Sequence, residues 1–149
     1  MKRNFTFLMV AFALMVGMMM PLGMKGENRG VTTYTFTSKK WEATPANWTS
    51  GKDGYQMSSG RGVQVTKTYS GANATSPTSL SNITKVEVTY STNASSGAGT
   101  IKIQVGSNSE KSFTVTSSGG ATDRKATFNY ATPETGKVKL TVTCTTNAV

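Results

Sequence analysis

The sequence predicts an all-β domain, and three observations lead there. From Val31 to Val149, 24 Thr and 16 Ser make a hydroxyl-rich chain, with ten Val and three Ile but only Leu80 and Leu140 as leucines. β-Branched residues favour strands, and a Leu-poor chain makes a poor helical bundle. Apolar and polar residues alternate with period two in about seven segments, and none carries a helical period of useful length. Between these segments lie Gly-, Ser-, Asn- and Pro-rich turn signals. Short half-buried strands at regular spacing mean an antiparallel sandwich or barrel.

The segments justify themselves in order. Tyr34 and Phe36 share a face in Val31–Thr37, and Val63 and Val65 do so in Gly62–Ser70, with Tyr69 in phase. Val86, Val88 and Tyr90 alternate with Lys85, Glu87 and Thr89 in Ile83–Tyr90. Ile101, Ile103 and Val105 alternate with Lys102 and Gln104. Phe113 and Val115 mark a strand in Lys111–Thr116, and Ala126, Phe128 and Tyr130 mark one in Lys125–Tyr130. Val138, Leu140, Val142 and Cys144 mark the last. The stretches Gly51-Lys52-Asp53-Gly54, Ser70-Gly71-Ala72-Asn73, Gly106-Ser107-Asn108 and Pro133-Glu134-Thr135-Gly136 read as turns.

Ahead of this domain the composition changes. Lys2 and Arg3 open the chain, no charge follows until Lys25, and seven of the eight Met fall within the first 24 residues. A basic start, a short apolar core and an exit through Gly17 and Pro21 describe a secretory signal peptide, residues 1–26, with cleavage expected after Gly23 or Gly26. An uncleaved membrane anchor is the alternative reading of the same run. Residues 27–30 form a short tether, and 31–149 the β-domain. The mature protein is then secreted, periplasmic or on the cell surface. Asn147-Ala148-Val149 follows the last strand and reads as the opening of another, which leaves open whether a closing strand is missing.

Composition narrows the chemistry. There is no His, Cys144 is the sole cysteine, and only seven residues are acidic. A domain with one cysteine holds no internal disulfide. Cys144 shares the phase of Val138, Leu140 and Val142, so it is expected to be a small buried side chain. Nucleophilic triads lack their base, and no pair of carboxylates is compelled to face across a sugar bond. The expectation is a protein that is not an enzyme and needs no cofactor. Lys52-Asp53-Gly54 and Asn73 offer at most a weak structural Ca²⁺ site. After residues 1–26, 13 basic and 7 acidic residues leave a net charge of +6. The lysines are scattered and Arg is scarce, which argues against nucleic acid as the partner.

A wider pattern runs through the chain. It includes Trp41, Trp48, Ser50-Gly51-Lys52, Gly62-Val63-Gln64-Val65-Thr66, Ala74-Thr75-Ser76-Pro77, the run Ile83 to Asn93, and Ser96-Gly97-Ala98-Gly99-Thr100-Ile101. Over about Tyr34 to Val142 this resembles the small jelly-roll, galactose-binding-like domains in exported proteins of gut-dwelling anaerobic bacteria. The resemblance implies an antiparallel jelly-roll sandwich. It also implies an accessory role of the kind such modules play beside nucleases or glycan-degrading enzymes. Those domains usually close with a further strand rich in aromatic residues and Ile, from which this chain departs.

The remaining candidate is a binding surface. Trp41, Trp48 and Tyr55 fall within fifteen residues of turn-rich chain, and flat aromatic rings stack on the apolar faces of sugars. Trp41, Trp48 or Tyr55 is expected to form the platform, with Lys52, Asp53 or Gln56 bonding sugar hydroxyls or an acidic group. The alternative for each Trp is a plug over one end of the core. The expectation is an exported glycan-binding module, with a structural or adhesive surface module for a protein partner as the runner-up.

Overall fold

A computed structural model describes residues 11–14, 30–57, 62–92, 97–115, 117 and 124–146. The cleavage region, most of the tether and Asn147-Ala148-Val149 lie outside the described residues. In chain order the strands are β1 (Ala11–Leu14), β2 (Thr32–Phe36), β3 (Ala43–Thr44), β4 (Thr49–Lys52), β5 (Gln56–Met57) and β6 (Val63–Gln64). They continue with β7 (Ala72–Thr75), β8 (Leu80–Tyr90), β9 (Ala98–Val105), β10 (Lys111–Val115), β11 (Arg124–Gly136) and β12 (Val138–Thr146). There is no helix among the described residues.

The protein is an antiparallel β-sandwich. One sheet runs β11-β8-β1-β2-β3, the other β10-β9-β12-β7-β4, and β5 and β6 form a small separate ladder. Every pairing is antiparallel. The inward faces are the ones that alternation marks. Ile101, Ile103 and Val105 of β9 and Val138, Leu140, Val142 and Cys144 of β12 are buried against Tyr34, Phe36, Val86, Val88, Ala126 and Phe128 in one continuous core. Cys144 faces inward at 3% exposure, as its phase predicts.

Besides β4, which runs through Gly51 and Lys52 where a turn is expected, and β6, which is shorter than expected, three features depart from the sequence reading. Four residues inside the apolar N-terminal run form β1, in the middle of a sheet, so the sandwich includes chain that the sequence assigns to a leader. Second, β7 replaces a turn. Its inward residues, Ala72 and Ala74, are fully buried, but alanine gives almost no apolar signal. Third, β11 runs through Pro133 to Gly136 instead of turning there. Its register against β8 shifts between Asn129 and Glu134, and Pro133 sits in that irregular stretch, where a residue without an N–H disturbs the ladder least. At its end a Cβ on Gly136 would fall 2.6 Å from the Gly106 Cα, so the two glycines let β11 pass the turn after β9.

Candidate functional site

The region around β4, β5 and β6 holds all six sequence-predicted site residues, and the structure sorts them. Trp41 is fully buried and Trp48 is 3% exposed, so neither ring face is open to a ligand. Both rings close one end of the core. Trp41 meets Phe36 edge-on at 5.2 Å, and Trp48 meets Phe36 at 5.3 Å and Tyr34 at 5.4 Å. Trp41 adopts φ 63°, a left-handed conformation rare for a bulky residue. Three bonds hold it there: its N–H donates to Ser38 O at 3.0 Å, its carbonyl accepts from the Trp48 N–H at 3.1 Å, and its indole Nε1 donates to Lys52 O at 2.9 Å.

Tyr55 is the aromatic that reaches solvent, at 42% exposure. It lies on the bend between β4 and β5, which is pinned from both sides. Gly54 N donates to Lys39 O at 2.9 Å and Tyr55 N to Gln64 O at 2.8 Å. Gly54 is required by this close approach, because a Cβ there would lie 2.4 Å from Val63 Cγ1 and 2.9 Å from Gln64 O. The ring of Tyr55 packs at 5.2 Å from that of Tyr69, with planes tilted by 56°.

Tyr69 is the residue that sequence reasoning missed. It was expected inside a strand in phase with Val63 and Val65, but β6 ends at Gln64. The chain instead turns, with Tyr69 N donating to Thr66 O and Ser70 N to Lys67 O. Gly71 at φ 84° then delivers it into β7. The turn leaves Tyr69 36% exposed. The polar run Thr66-Lys67-Thr68 ahead of Ser70-Gly71 is the sequence signal for it.

Lys52 joins the two halves. Its Nζ donates to Ser70 O at 2.6 Å, fixing the Tyr69 turn to β4 and using one of three ammonium donors. Gln56 is exposed beside Tyr55 on β5. Asp53 is engaged locally: its Oδ1 accepts from Ser50 Oγ at 2.6 Å, which shapes the bend. Asn73 donates to Gly71 O at 2.9 Å. Among the described residues there is no group of three or more His, Cys, Asp or Glu that could hold a metal ion. The site is thus two exposed phenol rings in contact, with Lys52 bonded to the turn that carries Tyr69 and Gln56 next to Tyr55 in the chain.

Three other described carboxylates, those of Glu87, Glu110 and Glu134, have side-chain partners. Glu87 bonds Lys85 and Lys125, each at 3.0 Å, and Glu110 bonds Lys102 at 2.8 Å. Glu134 accepts from Asn108. The hydrogen bonds from Lys85 and then Lys125 hold the Glu87 carboxyl below its ordinary 4.5, against the opposing effect of burial. A pKa lowered by folding adds stability above the unfolded value, and that stability is lost as pH falls through the folded one. Wild-type protein is expected to weaken on acidification from about pH 5 downward. Glu87→Gln should show a flatter profile in that window. Urea unfolding at a series of pH values checks this, and parallel profiles would contradict it.

Comparison of the chain with protein-family models, curated proteins and solved structures gave no match.

Proposed function

We propose that the protein is an exported, non-catalytic module that binds a glycan on the Tyr55–Tyr69 platform. The single observation that carries this is the exposed, mutually packed pair of tyrosines, with Lys52 bonded to the Tyr69 turn. Elsewhere in the described residues the large aromatic rings are buried or partly buried. Two tilted rings present an apolar surface to the C–H face of a sugar, while Lys52 and Gln56 supply donors for hydroxyls or a carboxylate. The bend and the turn are tied to the sandwich by backbone bonds, so little ordering is left for binding. Engagement of Asp53, Glu87, Glu110 and Glu134 with side-chain partners supports a binding role over a catalytic one, since glycoside cleavage needs two carboxylates free to act across the bond. Within this reading the sandwich is of jelly-roll type and residues 1–26 are a leader removed on export.

A glycan array probed with the exported protein tests the reading. Selective retention of a glycan class, reversed by the free saccharide, is the expected result. Uniformly absent binding across neutral and acidic glycans would sink it.

A further inference from the structure

The strand β1 sits between β2 and β8 and is antiparallel to both. Phe12 is in register with Tyr34 on one side and Val88 on the other, Ala13 with Thr33 and Glu87, and Leu14 with Thr32 and Val86. These four residues lie inside the segment read as the leader. Its removal would leave a slot one strand wide in the middle of a sheet, not at its edge. At 4.7–4.9 Å per strand spacing, β2 and β8 would face each other across about 9.5 Å. Each would present a row of backbone N–H and C=O groups without partners, and those of Val86, Glu87 and Val88 belong to buried residues.

The slot constrains what can enter it. Because β1 opposes both neighbours, β2 and β8 run the same way. Direct closure would create a parallel pair in an otherwise antiparallel sandwich and shift its core. An inserted strand must run antiparallel to both. It needs apolar side chains at the alternate positions beside Tyr34, Val88 and Val86, which are buried. At the position between them it meets Thr33 and Glu87. Around Glu87 stand two ammonium groups, those of Lys85 and Lys125, so the outward face carries net positive charge.

We infer that the exported protein accepts an extended segment of another polypeptide in this slot. The inference rests on the leader being removed, as the proposed function holds. The partner segment alternates apolar residues with hydroxyl or carboxylate residues, and its backbone completes the sheet. A second copy of this chain is the poorer occupant, because two exported copies each carry +6. The slot lies in the sheet that does not contain β4 and β7, so this site is separate from the Tyr55–Tyr69 platform.

The test uses protein recovered after export, its N-terminus first fixed by intact mass. The probe is a fluorescent peptide of residues 9–16 flanked by glutamates, and the control is the same peptide carrying Ala13→Pro. Fluorescence anisotropy should show saturable binding to the processed chain. The proline peptide, unable to complete the ladder, should bind at least about tenfold more weakly. Unprocessed protein beginning at Met1, whose slot is filled by its own strand, should bind neither. A processed chain that binds neither peptide would show that the slot has closed, and the inference would fail while export stood. Equal binding of both peptides would reduce the effect to apolar adhesion and overturn it. A processed chain that is dimeric and refuses the peptide would assign the slot to a second copy. Exported protein that retains residue 1 would remove both the leader reading and the inference.

Discussion

Trp41→Ala is expected to lower the unfolding free energy by about 3–5 kcal/mol, the usual cost of deleting a buried indole. The ring is fully buried, packs edge-on against Phe36, and ties the bend after β4 through its bond to Lys52 O. Alanine would leave a cavity at the end of the core and an unpaired carbonyl. For a domain of this size the melting temperature should fall by about 10–20 °C. The proposed glycan binding would weaken only as the fold does, because the ring is fully buried. Thermal unfolding followed by circular dichroism measures the first effect. An unchanged melting temperature would mean that the indole is not the plug described. Trp48→Ala belongs to the same class, through its contacts with Tyr34 and Phe36.

Tyr55→Ala with Tyr69→Ala should do the reverse. Both residues are more than a third exposed and their rings pack on each other, so the double variant should melt near the wild-type temperature. Retention on the glycan selected by the array should disappear. Each single variant should lose about tenfold in affinity, or ~1.4 kcal/mol. Affinity electrophoresis or calorimetry on matched, folded samples reads this directly. A double variant that still binds would move the site away from the platform. Lys52→Met is informative beside it, since Lys52 holds the Tyr69 turn through Ser70 O as well as having a role in the proposed site.

The contrast between these two experiments marks how far the sequence could be read. Long strands with bulky alternating residues were legible, and β8, β9, β10 and β12 lie where period two places them. Strands built on alanine were not, because Ala72 and Ala74 fill inward positions without an apolar signature. The site region was legible as a cluster but not residue by residue. A Trp in a Gly-rich segment has the same local pattern whether it caps a core or faces solvent. What decides is the position of Phe36 and Tyr34, brought in from β2. Tyr69 was hidden for the opposite reason: its spacing from Val65 fits a strand, while the bonds from Tyr69 N to Thr66 O and Ser70 N to Lys67 O place it in a turn. The pairing of β1 with β8 joins Phe12 to Val88, 76 positions away, and no local pattern announces such a contact.

That order of strands also sets a timetable. The second sheet has β12 between β9 and β7, so its central member is the last described strand to be synthesised. The first sheet likewise has β8 waiting for β11. Pairings between distant segments form late, because the intervening chain must be closed into a loop before any contact rewards it, and such topologies fold in milliseconds to seconds. In this protein the wiring leaves the second sheet without its central strand until β12 has been made, a delay that comes from topology alone.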